Sequence, residues 1–183
     1  MSIKILMNSL YGALGNRWFR YFDQRVAESV TLAGQLSILW AEKYMNQHMN
    51  NLMGKEEEDY VIAIDTDSLY VYMSSLVSKM SPKNPINFLD KISEEYFQPM
   101  LDRAYESLAS YTGAKVNRME MGREVIADRG IWVAKKRYIL NVHDNEGVRY
   151  KKPKLKLMGI EAVKSSTPQI VREKMKEMFK ILV

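Results

Sequence analysis

Apolar side chains recur every three or four positions along two long stretches of the chain, the spacing of a helix with one buried face. The first stretch covers residues 24 to about 51 and contains no proline, and the second covers residues 86 to about 111. Pro99 lies inside the second stretch and predicts an interruption or a kink. A further helix is expected from Pro168 to Val183, because hydroxyl residues followed by proline are typical of a helix start.

Shorter runs of branched and aromatic residues predict β-strands. The first two runs flank a short polar break and predict a hairpin, and three more follow Gly113. The order of elements therefore predicts an α+β fold, in which an antiparallel sheet with an Asp-bearing hairpin is covered by long helices. The predicted strands are 60–64, 69–73, 117–126, 130–142 and 149–158, and the predicted turns between the last three are 128–130 and 144–147.

Two aspartates mark the break within the predicted hairpin. In an extended backbone, the spacing of Asp65 and Asp67 places both carboxylates on the same side of the chain. Hard cations such as Mg²⁺ prefer these oxygens, and a divalent ion also relieves the repulsion between the two carboxylates. The alternative is an ordinary turn in which the aspartates cap their own backbone, the commoner role of such a pair.

An amphipathic segment near the start of the chain brings Lys4, Asn8 and Tyr11 onto one helical face. A lysine on that face could hold a triphosphate, and Tyr11 followed by Gly12 could present a flat ring to a base. The alternative is a partly buried helix with a core tyrosine and a lysine that reaches solvent.

A basic block, Lys135-Lys136-Arg137-Tyr138, lies within the predicted strand 130–142. Consecutive cations on a strand project to both faces, so at least one is expected to meet an occupied surface. DNA phosphates or base edges would pair with it, and Lys156 and its neighbouring lysines could extend the same basic surface. The alternative is an exposed edge strand that its charges protect against aggregation.

Charge is distributed unevenly along the 183 residues, which carry a net charge of +5. Residues 1–114 hold 10 Lys/Arg and 14 Asp/Glu, whereas residues 115–183 hold 17 Lys/Arg and 8 Asp/Glu. The basic part fits either a surface for a polyanion or a solvated face.

The length of the chain predicts one domain. The sequence has no cysteine, and it contains no apolar stretch long enough for a membrane span, so a cytoplasmic protein without a membrane partner is expected.

The motifs, taken in order, resemble those of the family-B DNA polymerases, and most closely those of the replicative polymerases of T-even-type bacteriophages. The resemblance covers essentially the whole chain, and the ordered set is far more specific than any one motif. The segments that carry it are 8–16, 19–21, 65–68, 134–138, 155–159 and 165–168.

The resemblance implies a palm-type sheet and a template-directed nucleotidyl transfer that uses two Mg²⁺ ions. Primer–template DNA and deoxynucleoside triphosphates are the implied partners. Asp67 matches the aspartate that binds both metal ions, Asp65 matches a more peripheral carboxylate, and Glu124 matches an acidic residue near the metals. Gly122 departs from the pattern, because close relatives are expected to carry another acid there.

The same resemblance assigns the remaining candidate residues. Those implied to face the nucleotide are Lys4, Asn8, Tyr11 and Gly12. Those implied to grip the primer end are Lys135, Lys136, Arg137 and Tyr138, with Lys156 assisting. A lysine in the minor groove could sense correct pairing without reading sequence, since its acceptors occupy similar places in every base pair.

By resemblance, residues 1–20 form the end of a fingers helix, residues 21–165 the palm and residues 166–183 the start of the thumb. Family members supply a second metal-binding aspartate from a motif upstream of the Tyr-Gly helix, and these 183 residues do not contain that motif. A polymerase fragment that is inactive alone is therefore expected. The alternative is a non-catalytic module that binds DNA or assembles with the partner chain of a split polymerase.

Overall fold

The computed structural model describes residues 3–183, except for the side chain of Lys4. Two helices precede a small hairpin, and three further helices follow it; a three-stranded sheet and a last helix come after these. The helices are α1 (Ile3–Leu14), α2 (Gln24–Met53), α3 (Ser74–Met80), α4 (Pro85–Ile92), α5 (Gln98–Thr112) and α6 (Gln169–Leu182). The strands are β1 (Val61–Asp65), β2 (Ser68–Val71), β3 (Val125–Ala134), β4 (Arg137–Asn145) and β5 (Val148–Met158).

The strands form two antiparallel sheets. One is the hairpin β1–β2, in which Asp65 pairs with Ser68, and the other has the order β3–β4–β5. Tyr138 of β4 lies opposite Trp132 of β3 on one side and Met158 of β5 on the other. The predicted α+β class with antiparallel strands and an Asp-bearing hairpin is confirmed, with the five strands divided between two sheets.

The predicted long helix is confirmed, and local chemistry defines both of its ends. At the start of α2, the backbone N–H of Arg25 donates to the Asp23 carboxylate at 2.9 Å. At its end, Gly54 adopts a left-handed conformation that closes the last turn. Within the described residues no helix, α2 included, is both long and apolar enough to cross a membrane.

The predicted interruption of the second helical stretch is also found. A π-helical turn, Ser93–Phe97, separates α4 from α5, and Pro99 lies in the first turn of α5. The π-helical turn widens the helix directly before Pro99, where the N–H of Gln98 donates to the carbonyl of Ser93, and so accommodates a residue that has no N–H to donate. The short helix α3 was not predicted, and the segment 169–182 confirms the expected last helix.

Two of the predicted later strands have the wrong limits. The run 117–126 is a strand only from Val125 onward, and the run 130–142 contains the turn between β3 and β4. The predicted turn at 128–130 is wrong, because Gly130 lies inside β3. A Cβ atom there would overlap the ring of Trp132 and the side chain of Leu140, so the glycine makes room for that ring. The strand at 149–158 and the turn after Asn145 are confirmed.

The main core lies between α2, α5 and the hairpin. Its largest buried side chains include Met49 and Met100, and the indole N–H of Trp40 donates to the carbonyl of Ala104 at 3.0 Å. A second core lies between the three-stranded sheet and α6, where Ile139 packs with Phe179. The hairpin therefore has a buried support on α2, and its turn is left exposed.

Candidate active site and nucleic-acid interface

The Asp-bearing turn joins β1 to β2 through Thr66 and Asp67. Thr66 has a positive φ of 59°, and the N–H of Asp67 donates to the carbonyl of Asp65 at 2.7 Å, so the turn is tight. The side chain of Asp67 is exposed, whereas that of Asp65 is 20% exposed. The two candidate metal ligands thus differ, with Asp67 at the open tip and Asp65 set back against the sheet.

A second tight turn faces the first. Lys135 and Lys136 connect β3 to β4, and Lys136 has a positive φ of 60°. The ammonium of Lys136 lies 3.7 Å from Oδ1 of Asp65, and its side chain is 64% exposed. The two lysines are therefore turn residues rather than strand residues, and the sequence interpretation of three cations on one strand is wrong. The fold places the predicted DNA-binding turn beside the Asp-bearing turn.

A second lysine–carboxylate pair lies on the three-stranded sheet. Lys156 of β5 approaches Glu124 with 3.8 Å between Nζ and Oε2, and Glu124 directly precedes β3. Glu124 is 61% exposed, whereas Lys156 is 33% exposed. The carbonyl of Glu124 accepts a 2.6 Å hydrogen bond from the N–H of Glu146 in the β4–β5 turn, so its backbone is fixed.

Tyr70 of β2 packs in an aromatic cluster between the hairpin and the three-stranded sheet. Its ring packs on Tyr138 and Trp132, with centroid separations of 5.3 and 5.4 Å. Burial raises the pKa of the Tyr70 hydroxyl, and Tyr138 and the nearby charges of Asp65 and Glu124 raise it further. Tyr70 therefore remains protonated, and its ring packs beside the turn that holds Lys136. Sequence reasoning missed this residue, which has no charge of its own to mark it.

The other half of the basic block contacts other parts of the protein. The ring of Tyr138 is buried within the aromatic cluster, and the guanidinium of Arg137 is bonded to Glu161 and to the carbonyl of Gly159. Along β5, Lys154 and Lys156 lie two residues apart and share one face, and the Lys154 ammonium lies 4.2 Å from the centre of the Tyr150 ring. The residues of the basic block that are most exposed are Lys135 and Lys136.

The predicted nucleotide-binding residues lie on α1, apart from this group. Asn8 is exposed, Tyr11 is 41% exposed, and Gly12 has open space where a Cβ would lie. The side chain of Lys4 lies outside the described part of the chain. Among the described residues, no hydrogen bond or ion pair connects α1 to either lysine–carboxylate pair.

The donors at the Asp-bearing turn suit a hard divalent ion. Mg²⁺ is commonly held by one or two carboxylates, with water and substrate phosphates filling the other positions. Asp65 and Asp67 could supply such carboxylates, and the exposed tip leaves room for further ligands. Three or more carboxylate or histidine side chains do not gather at any point among the residues that the structure describes.

The family model for DNA polymerase family B matches residues 1–183. The chain belongs to DNA polymerase family B. It is 43% identical to the DNA-directed DNA polymerase of Escherichia phage RB69 and 40% identical to that of Enterobacteria phage T4, with 95% of the chain aligned in each case. It is 27% identical to DNA polymerase 1 of Pyrococcus abyssi over 94% of the chain.

The chain spans about a fifth of the length of the phage polymerases that it matches, since the aligned part is 21% of each. Within this family segment, the structure brings eight of the predicted residues into one area, and it leaves the α1 group elsewhere. The eight are Asp65, Asp67, Glu124, Lys135, Lys136, Arg137, Tyr138 and Lys156.

A buried charge network behind this area was also missed. The Asp144 carboxylate is fully buried and accepts hydrogen bonds from Arg123, Arg149 and the N–H of Gly147. Both arginines also bond to Asp90 of α4. Burial raises the pKa of Asp144, but the hydrogen bonds from the two arginines outweigh it, so the pKa lies below its usual 3.8. Turn composition hid this residue, and no local signal marks its partners.

Proposed function

We propose that this segment is the palm core of a DNA-directed DNA polymerase, which joins deoxynucleotides to a primer on a DNA template. The observation that carries the proposal is the meeting of two turns, with the Lys136 ammonium 3.7 Å from the Asp65 carboxylate. A carboxylate turn beside a lysine turn suits a reaction between a DNA end and a nucleoside triphosphate, because one binds metal ions and the other binds phosphates.

In this proposal Asp67 is the principal metal ligand and Asp65 a peripheral one. Two bound Mg²⁺ ions would lower the pKa of the attacking 3′-hydroxyl and shield the triphosphate and its leaving group. Glu124 adds negative charge beside that centre, and Lys156 offsets it. Lys135 and Lys136 hold the primer end, and Asn8, Tyr11 and Gly12, together with Lys4, face the incoming nucleotide.

The proposed division of the segment is residues 1–20 for the end of a fingers helix, 21–165 for the palm and 166–183 for the start of the thumb. Catalysis in this proposal needs a second metal-binding aspartate from outside these 183 residues, so we expect the 183-residue polypeptide alone to bind DNA without extending a primer.

Salt dependence tests the DNA-binding part of the proposal. We expect affinity for a primer–template duplex to fall about 100-fold between 50 and 200 mM salt, because each phosphate contact releases bound counterions. The double substitution K135A/K136A should weaken binding and lower the log–log salt slope by about 2, one for each lost contact. Fluorescence anisotropy of labelled DNA measures both quantities.

The matched control for that experiment is K43A/K91A, which removes two exposed lysines from α2 and α4 and the same amount of charge. We expect it to leave the salt slope within experimental error of the unsubstituted chain. Equal effects of the two double substitutions would mean that only net charge matters, and the proposed DNA surface would then be wrong.

A second candidate function is an assembly module that completes the partner chain of a split polymerase. Exposed apolar side chains on α1 and on the first half of α2 favour it, because an apolar surface of this kind usually marks a contact with another protein surface. The clearest examples are Ile5, Leu6, Leu32 and Leu39, which are 52–63% exposed.

Complementation tests the second candidate. The chain would be mixed with a polypeptide that carries the remaining segments of the phage RB69 relative, and primer extension would be measured. We expect extension only in the mixture, together with a stable complex in gel filtration. L32E/L39E should abolish the complex by placing charge on the apolar face, whereas E28Q on exposed α2 surface should not. Failure of the unsubstituted mixture to form a complex would contradict the assembly role.

A further inference from the structure

The backbone of the lysine turn has a conformation that side-chain-bearing residues rarely adopt. Lys136 has a φ of 60°, in the left-handed region, where a Cβ crowds the backbone. Such a conformation persists when the surrounding structure enforces it. The residues that enforce it here are Gly159, Arg137 and Glu161. Of these three, only Arg137 was a predicted site residue.

Gly159, which directly follows β5, packs against the turn. It also has a positive φ, 63°, and a Cβ atom at this position would overlap the carbonyl oxygen of Lys136. Only a glycine allows the two backbones to lie this close. The position of the Lys136 carbonyl is therefore fixed by the chain that leaves β5.

Arg137 connects the turn to the same segment. Its Nε donates to the carbonyl of Gly159 at 3.2 Å, and its Nη2 donates to both carboxylate oxygens of Glu161 at 2.7 and 2.8 Å. Glu161 begins a short 3₁₀ turn, Glu161–Val163, whose Ala162 is fully buried in the core with Phe179 of α6. The guanidinium thus ties the lysine turn to a part of the chain that a buried core holds in place.

We infer that Glu161 is a positioning residue, which acts through Arg137 and Gly159 to hold the Lys135–Lys136 turn with Lys136 toward Asp65. The inference rests on the proposed function for its purpose, because the turn that Glu161 positions is the proposed primer-binding turn. In it, Arg137 holds the turn and does not bind DNA.

The chemistry of the pair supports this assignment. The guanidinium of Arg137 already donates to both oxygens of one carboxylate and to a backbone carbonyl, and Arg137 would have to give up these three hydrogen bonds to reach a phosphate. The hydrogen bond from Lys164, at 2.9 Å, and the charge of Arg137 lower the pKa of Glu161 to about 2. The carboxylate is therefore ionised at every pH at which DNA binding is measured.

E161Q tests the inference with two measurements. The first is ¹⁵N relaxation of the Lys135 and Lys136 amides in the DNA-free chain. We expect the Lys136 amide to change from rigid to mobile, while the Glu146–Gly147 turn at the far end of β4 stays as it was. E161D keeps the carboxylate and should restore most of the order. K164A removes the other cation that bonds to Glu161 and should leave the lysine turn rigid.

The second measurement is affinity for primer–template DNA, in which the sign of the change is informative. E161Q removes one negative charge and so raises the net charge of the chain by one. That change alone, or a freed Arg137 that binds phosphate, would tighten DNA binding and steepen the salt slope. We expect about 10-fold weaker binding instead, the scale seen when outer-shell partners of a functional residue are removed at metal sites. E161D should recover it.

The results separate the inference from the function on which it rests. Unchanged order of the Lys136 amide in E161Q, or tighter binding with a steeper salt slope, would overturn the positioning role. If the unsubstituted chain shows no salt-dependent DNA binding while E161Q still mobilises the turn, the proposed function fails and the positioning role stands.

Discussion

D67N should lower the rate of primer extension by about 10³-fold in a polymerase that contains this segment. A metal ion contributes several kcal/mol of charge stabilisation in a transition state, and about 4 kcal/mol corresponds to a factor of 10³. Asparagine preserves the size of the side chain and removes the negative charge that the metal ion needs. Asp67 is exposed at the tip of the hairpin, so its substitution should not change the fold.

The test uses a chimera in which these 183 residues replace the matching segment of the phage RB69 relative, to which they are 43% identical. Single-turnover extension of a labelled primer measures the chemical step, and the melting temperature checks the fold. D102N is the matched control, because Asp102 is an exposed carboxylate on α5 that bonds only to Gln98 of the same helix among the described residues. We expect D102N to extend primers at the unsubstituted rate.

D65N should have a smaller effect than D67N in the same chimera. Asp65 faces the Lys136 ammonium, whereas among the described residues no cation lies within ion-pair distance of Asp67. A metal ion adds less electrostatic stabilisation to a carboxylate that already has a cationic partner. Extension by D67N within 10-fold of the unsubstituted chimera would contradict the principal-ligand role, and an inactive unsubstituted chimera would count against the proposed function itself.

Sequence patterns predicted the fold well where a long periodic signal coincides with clear boundary residues. The helix α2 has both, with Asp23 before it and Gly54 after it. The signal failed where a tertiary contact overrides local composition. Asp128, Arg129 and Gly130 have the composition of a turn, yet they continue β3 because the ring of Trp132 covers the glycine. The real turn has two lysines, which no turn preference favours.

The candidate site was predictable to the extent that each residue type has its own chemistry. The carboxylate pair, Lys136 and Lys156 were all identified from their motifs, whereas Tyr70 and Glu161 were not. Glu161 lies 24 residues from Arg137 along the chain, and nothing in the local sequence of either residue indicates the other. Such pairs depend on the register of β4 against β5, which a single sequence does not determine.

D144N should lower the free energy of unfolding by about 3 kcal/mol. Only 1% of the Asp144 side chain is exposed, and its carboxylate pairs with Arg123 and Arg149. Removing one member of a buried ion pair costs about 3–5 kcal/mol when the other charge is left without a partner. The two arginines are partly exposed and keep Asp90 as a second partner, which places the expected loss at the lower limit.

The same substitution should also reach the candidate site. Arg123 directly precedes Glu124, and the β4–β5 turn that Asp144 organises donates the hydrogen bond to the Glu124 carbonyl. Loss of the network should therefore increase amide exchange at the start of β3 as well as at the β4–β5 turn. Hydrogen exchange followed by mass spectrometry measures both regions.

The dependence on pH identifies the charge of Asp144 as the cause. Because its pKa is lower in the folded chain than the usual 3.8, the unfolded chain binds the proton first as the pH falls. The stabilisation is complete above about pH 5 and is lost as the pH falls through 3.8 and then through the folded pKa. The difference in unfolding free energy between the unsubstituted chain and D144N should therefore shrink steadily over that range.

Urea unfolding at several pH values measures this difference, with an expected shift of the midpoint of about 1.5 M at neutral pH for a slope near 2 kcal/mol/M. D128N is the matched control, since Asp128 lies on the neighbouring strand with its side chain 45% exposed, accepts a hydrogen bond from Asn141 and lies 3.3 Å from Nε2 of His143. It should change stability by less than about 0.5 kcal/mol. Two results would contradict a stabilising role for the charge of Asp144. One is a loss of unfolding free energy in D144N no larger than that in D128N, and the other is a loss that persists unchanged below pH 3.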